Sequence, residues 1–469
     1  MFNYNFYDKE IYFMELKYTR KNVYKEADGK QLEAIYKYAE GYKKFLDESK
    51  TERDAAKAAE RLAIEKGYKP FSFAEKLKAG DKRYFINRQK NVFLIKVGSE
   101  SLEEHGVRIM VAHVDSPRLD IKPNPVYEDS GLCYLKTHYY GGVKKYQWTA
   151  LPLALHGVVM LPDGKCVDVC VGEDDSDPIF YITDILPHLG REQAAKPLGS
   201  AIPGESLNAI IGGLPAVDDE EEKEAVKAAI LKLLNKKYGL TEIDFQCSEL
   251  CLVPAGKARD VGFDGALISS YGHDDKVCAY PEMTALFDSE NSPHTIISVF
   301  SDKEEVGSDG TTGAQCRIIC DVIDTIANSF GANPIIVRYN SKCISADVTA
   351  GFDPEFASVF EKRNTTYINC GAAISKYTGA GGKSGSNDAN AEYVGWLRDI
   401  FDANGVYWQM GELGAIDMGG GGTVAKFIAN LGIDTIDVGV PVLSMHAPYE
   451  LISKADVYSL YQACLAFCK

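Results

Sequence analysis

The chain predicts an α/β fold: a three-layer domain on a mixed, mostly parallel sheet, interrupted by an inserted β-rich domain. Three observations carry this. From about residue 254 onward, short apolar strands alternate with helical segments. Strand-like runs of the same kind precede residue 112. Between them, 126–253 reads as successive β-type runs punctuated by turns. Because the α/β texture lies on both sides of that middle, one domain is expected from 1–125 together with 254–469, and the other from 126–253.

The elements follow in order. Residues 31–48 and 52–66 have helical periodicity, the second with Thr51 placed to cap its start and Gly67 to stop it. Strands are predicted at 83–87, 91–96 and 107–111, the last running straight into Ala112-His113-Val114-Asp115. In the middle, runs at 132–139, 153–161 and 165–171 have strand character, with Pro162-Asp163-Gly164 turning between the last two. The acidic run 218–222 reads as the first turn of a helix ending near Tyr238-Gly239, where carboxylates oppose the positive end of the dipole. Beyond 254, strands at 266–270, 295–300, 343–346, 406–410 and 435–440 alternate with helices at 311–329, 388–403, 424–430 and 454–467.

Composition narrows the class. Hydrophobic residues make up 45% and charged residues 25%, as in ordinary globular proteins. No apolar run approaches the ~20 residues that span a bilayer. Met1 to Asp8 lack the basic-then-apolar pattern of a secretory leader, so a cytoplasmic protein is expected. A net charge of -16 argues against nucleic acid or anionic membrane as partners. Of the twelve cysteines, Cys166/Cys170, Cys247/Cys251, Cys316/Cys320 and Cys464/Cys468 stand at Cys-x3-Cys spacing in apolar contexts. That is not the Cys-x2-Cys of a structural zinc site, and they are read as reduced thiols filling small core positions.

The chemistry gathers at strand ends. Glu304-Glu305 follows the apolar run 295–300, and neighbouring side chains on an extended segment diverge, so one acid can hold a metal while the other acts on water. His113 and Asp115 follow the strand ending at Val111, His273-Asp274-Asp275 the strand 266–270, Asp347 the strand 343–346, and Ser444-Met445-His446 the run ending at Val442. In an open α/β sheet the ligand crevice lies at the carboxyl ends of the strands. Imidazoles and carboxylates without thiolates suit zinc, cobalt or manganese. The set also supplies what a two-metal site needs, a bridging acid and separate ligands for each ion.

The strings Ala112-His113-Val114-Asp115-Ser116-Pro117, Asp302-Lys303-Glu304-Glu305-Val306-Gly307-Ser308, Ser345-Ala346-Asp347 and Ser444-Met445-His446 closely resemble the M18, or aspartyl aminopeptidase, family of two-zinc exopeptidases. The resemblance runs in order from about residue 80 to the end. It implies that Asp274 bridges two divalent ions, that His113 and Asp347 complete one, and that Glu305 and His446 complete the other. Asp115 would accept the second N–H of His113, and Glu304 would be the general base. Gly420 and Gly421, in the glycine-rich segment 411–423, would line the substrate pocket with backbone groups, and Lys383 would lie near the substrate's first side chain. By the same resemblance 126–253 is a dimerisation and assembly domain, and the enzyme is a homo-oligomer, a dodecamer built from dimers, acting on peptides.

The pattern departs from the family at Gln147 to Val159, which keeps the frame around Trp148 but lacks the family's Asp-Arg-Asp element and the arginine of the following strand. That bears on specificity, because in the family this domain contributes to dimer contacts and to the neighbouring subunit's site; by that resemblance His188 could act there in trans. The alternatives are a related two-metal hydrolase, such as a glutamyl aminopeptidase or an N-deacylase, and a silent metal-binding scaffold. The presence of the base and all five ligands speaks against the scaffold.

Overall fold

The structure, a computed structural model, describes residues 17–216, 223–290 and 292–469. The expectations for residues 1–8 and for the acidic run 218–222 lie outside them.

The frame is a nine-stranded mixed sheet in the order Lys69–Pro70, Lys82–Asn87, Asn91–Lys96, Ile296–Ser301, Arg108–His113, Lys342–Ser345, Asp434–Gly439, Ala372–Ser375 and Trp408–Met410. The central four, Ile296–Ser301 through Asp434–Gly439, run parallel. Asn91–Lys96 and Ala372–Ser375 pair antiparallel on either side of them. Strands covered on both faces must be apolar on both, and alternation then assigns each residue to one layer. Met110 and Ala112 pack with residues of the helices Gly29–Glu48, Glu52–Glu65, His273–Asp288 and Lys454–Cys468. Ile109 and Val111 face the other way, toward Ile318–Ser329, Pro334–Asn340 and Ala425–Ala429. The three-layer α/β expectation holds.

A second sheet of seven strands runs in the order Ser248–Pro254, Arg118–Asp129, Leu132–Tyr140, Ala209–Gly212, Phe180–Tyr181, Pro152–Met160 and Cys166–Val171. Ser248–Pro254 also pairs with Pro152–Met160, so the sheet closes on itself around Trp148, Leu153, Val159 and Leu252. The helix Ala225–Tyr238 packs on this core and stops at Gly239 in the left-handed conformation (φ 77°). Its strand Arg118–Asp129 runs across residue 126. A three-stranded sheet, Arg259–Val261, Leu267–Ser270 and Glu450–Ser453, sets the start of helix His273–Asp288 beside Glu450.

Three expectations are corrected. The helix expected from 311 begins at Ile318, because the preceding loop is tied to the strand edge. Thr312 donates its hydroxyl proton to Asp302 at 2.6 Å, and a Cβ at Gly313 would lie 2.0 Å from the Ser308 carbonyl oxygen. The helix expected from 388 begins at Ala391, while Asp388 is drawn instead to Lys376 and Lys383, each at 2.9 Å. Finally, the cysteines are all free thiols, but Cys166, Cys170 and Cys247 are exposed rather than core residues. Along Cys166–Val171 the strand alternation turns Val169 and Val171 inward and the two cysteines outward.

Candidate active site

The five segments singled out in the sequence converge at the carboxyl edge of the parallel strands. His113 is the last residue of its strand, and Asp347 follows two residues after Lys342–Ser345. Glu304 and Glu305 open a single 3-10 turn, Glu304–Val306, entered through Lys303 at φ 66°. Asp274 sits at the start of helix His273–Asp288, and its peptide bond to Asp275 is cis. His446 follows the strand Pro441–Val442 at φ 63°.

Asp274 is central. Its Oδ1 lies 3.0 Å from His113 Nε2 and its Oδ2 3.2 Å from His446 Nε2. His446 Nε2 is 3.5 Å from Glu305 Oε1, and His113 Nε2 is 4.0 Å from Asp347 Oδ1. Two overlapping groups result, His113–Asp274–Asp347 and Asp274–Glu305–His446, the ligand atoms of each lying within 4.8 Å of one another. Asp274 Oδ1 and Glu305 Oε1 are buried without a hydrogen-bond donor. Buried acids lacking donors are costly, and a cation is the partner that fits this donor set.

The electrostatics agree. Burial, with Asp274 close by, pushes Glu305 well above the carboxylate range. Burial and the neighbouring Asp275 and Glu304 do the same for Asp347. Burial raises Glu304 to about 7, with Asp115 and Asp274 adding to the shift against His113 and His446. Burial opposes charge on His446 too, but Asp274 and Glu305 overcome it and raise the imidazole to about 10. So many acids in one buried place repel each other until positive charge is supplied.

A surrounding set of bonds orients these groups. The Asp115 carboxylate, wholly buried, accepts the backbone N–H groups of Glu304 and Glu305, both at 3.2 Å, and the Tyr140 hydroxyl at 2.8 Å. His113 Nδ1 lies 3.3 Å from Asp115 Oδ1 and 3.0 Å from the Asp115 carbonyl oxygen. Glu450 Oε2 accepts the Asp274 N–H at 3.0 Å, and its Oε1 accepts the His446 N–H at 2.8 Å. His446 Nδ1 donates to the Gly142 carbonyl at 3.0 Å. Glu450, Tyr140 and Gly142 were missed in the sequence. The signal for Glu450 was an acid four residues after His446 at the head of a strand; for a tyrosine and a backbone carbonyl there was none.

Asp274, Glu304, Asp347 and His446 line a cavity of about 310 Å³. Gly420, Gly421 and Lys383 line it as well. Gly420 (φ 139°) must be glycine, since a Cβ there would lie 2.3 Å from the Gly379 carbonyl oxygen. Lys383 Nζ is held by Asp388 and lies 3.6 Å from the Tyr377 ring centroid. His188 is not brought to this cavity; it lies exposed on a turn of the second sheet's unit.

A sheet of this topology, with groups that could hold a cation at its carboxyl edge, fits a metal-dependent α/β enzyme. The description "Aminopeptidase I zinc metalloprotease (M18)" matches residues 45–468, and the chain belongs to that family of aminopeptidases. A Clostridium acetobutylicum protein described as a probable M18 family aminopeptidase 1 is 47% identical over 455 residues, covering 95% of this chain and 97% of its own. The crystal structure of an M18 family aminopeptidase from Thermotoga maritima superposes with a TM-score of 0.92 at 41% identity, covering 97% of this chain and 100% of that one. The mApe1 dodecamer of S. cerevisiae, at 20% identity, has a TM-score of 0.75 over 92% of this chain and 96% of its own and shares the fold.

Proposed function

We propose that this zinc metallo-aminopeptidase removes the N-terminal residue of peptides using two divalent ions, with Glu304 as general base. The observation that carries the reading is the shared carboxylate: the two oxygens of Asp274 face His113 and His446 separately, at 3.0 and 3.2 Å. His113 and Asp347 would hold one ion with it, and Glu305 and His446 the other. Bound ions would polarise the scissile carbonyl and balance the clustered acids. Glu304 belongs to neither group, yet lines the same cavity with its Oε2 3.9 Å from His113 Nε2. From there it takes a proton from the attacking water and returns it to the leaving amine. Asp115 fixes the His113 tautomer and the Glu304–Glu305 turn together. The acid-lined end of the cavity suits a free α-ammonium, which favours exopeptidase action.

The backbone at Gly420 and Gly421 and the Lys383 side chain form the wall we assign to the substrate's first residue. We divide the chain into a catalytic domain, 1–125 with 254–469, and an assembly domain, 126–253. In the latter Ile185, Leu186 and Leu189, next to His188 in sequence, are exposed, which suits a second copy and a His188 contribution in trans. A dodecamer, the state named for mApe1, is the assembly we infer. Twelve free thiols suit a reducing compartment, which supports a cytoplasmic location. Among the described residues no helix is long and apolar enough to cross a membrane.

The test is a panel of free-amine and N-blocked dipeptides, assayed before and after chelation and after zinc, cobalt or manganese is returned. Cleavage of free-amine substrates only, lost on chelation and restored by metal, is expected. Activity that survives thorough chelation refutes the metal reading, and cleavage confined to blocked substrates refutes aminopeptidase action.

A further inference from the structure

Lys276 lies in the first turn of helix His273–Asp288 and is only 1% exposed. Among the described residues its Nζ has one hydrogen-bond partner, Ser116 Oγ at 2.7 Å, and no ion pair. Burying a lysine amine without a carboxylate against it is expensive, so the position calls for a reason. Its close neighbours add no second acceptor. Tyr271 presents its ring 5.8 Å away and spends its hydroxyl on the Pro117 carbonyl, while Arg118, of the same sign, is paired with Glu52 and Asp120 at 2.7 Å each.

The hydrogen-bond polarity supplies the reason. Ser116 Oγ lies 2.6 Å from the Asp274 carbonyl oxygen, which can only accept, so the serine proton goes there. The serine oxygen must then accept, and Lys276 is the donor. Room for this contact is kept by Gly272 (φ 76°): a Cβ there would lie 3.0 Å from Lys276 Nζ and 3.2 Å from Ser116 Oγ. The backbone of Asp274 is thereby held at its N–H by Glu450 and at its carbonyl by Ser116.

We infer that Lys276 is a positioning residue for this reaction, acting through Ser116 to hold the backbone of Asp274 so that its carboxylate faces His113 and His446 at once. The inference rests on the shared-carboxylate reading above.

The experiment is zinc titration of the metal-free full-length protein by calorimetry, with kcat and KM measured at saturating zinc on a free-amine aminoacyl anilide. Lys276→Met keeps the stem and removes the donor; Ser116→Ala removes the relay and keeps the lysine, and so decides the matter should the first variant fail to fold. Each is expected to bind zinc roughly 10–100-fold more weakly and to lose kcat by a comparable factor, with KM changed by less than about twofold. The double variant is expected to be no worse than Lys276→Met, since the two act as one unit. A merely structural lysine would lower the melting temperature and leave kcat of the folded, zinc-saturated protein intact; that result, or losses that multiply in the double variant, overturns the inference. A wild-type protein that binds a single zinc refutes the two-ion reading instead, and the variants compared at that one site still decide the relay.

Discussion

The two sheets place their polar residues by opposite rules. In the nine-stranded sheet the central strands are buried on both faces, and chemistry is confined to their carboxyl ends, where His113, Glu304 and Asp347 emerge. The seven-stranded sheet is closed on itself and leaves one face outside, so polar groups and thiols alternate along its strands, as at Cys166, Asp168 and Cys170. The difference teaches where to look: a doubly covered parallel sheet has only its ends to offer a ligand. Yet the closed sheet is not inert. The end of its strand Leu132–Tyr140 reaches the site, with Tyr140 on Asp115 and the Gly142 carbonyl on His446.

The largest effect should come from the parallel sheet's edge. Glu304→Gln keeps fold and zinc stoichiometry but lowers kcat by roughly 10²–10⁴-fold. Single-turnover assays on metal-replete protein check this, and near-normal turnover would sink the base assignment. A smaller loss, about 10-fold in kcat with little change in KM, is expected for Tyr140→Phe, which removes the hydroxyl given to Asp115. If steady-state kinetics show no change, the Tyr140 hydroxyl contributes nothing to turnover and the division between the two sheets is sharper still.

Between the sheets, His156 is flanked by Asp54 at 3.1 Å and Glu173 at 2.9 Å. Burial opposes its charge, but hydrogen bonds with Asp54, Cys170 and Glu173 outweigh that and raise it to about 11. A folded-state value above the unfolded one, about 6.5, gives stability that is whole below pH ~6.5 and is lost as pH climbs toward 11. Urea unfolding from pH 6 to 9 should therefore show falling stability in the wild type. The His156→Gln variant should be about 3–5 kcal/mol less stable at pH 6 and should show a flatter profile. A pH-independent wild type would contradict the charged triad.

The smallest effects concern the thiols. Cys166→Ser, on the open face, should shift stability by less than about 0.5 kcal/mol. Cys343→Ser, wholly buried in the parallel sheet, should cost about 1–3 kcal/mol by leaving a hydroxyl to be satisfied. Equal costs at the two positions in thermal unfolding would erase the contrast between the sheets.

Much of this was legible in the sequence because strand-end chemistry is local. An apolar run followed by His-x-Asp or Glu-Glu announces both the strand and its exit, and the layers follow from alternation. The helix His273–Asp288 was less visible, since its start is crowded with polar residues and Pro281 stands inside it. The early start assigned to the helix Ile318–Ser329 failed because a side-chain bond from Thr312 to Asp302 outweighs local periodicity. The burial expected of Cys166 and Cys170 failed because apolar neighbours in sequence say nothing about which face of a strand is covered. Glu450 escaped notice for a related reason: one of the two backbone N–H groups it holds, that of Asp274, is far away in sequence.

The single Asp115 carboxylate, holding the glutamate turn by its amides and His113 by its ring, has a consequence for metal supply. Backbone bonds of this kind keep the ligand atoms clustered by the protein's own framework. A ready-made set of imidazoles and carboxylates, lacking a soft sulfur ligand, separates zinc, cobalt and manganese only weakly by chemistry. Which ion is resident in the working enzyme is then decided as much by what the surroundings deliver as by the fold.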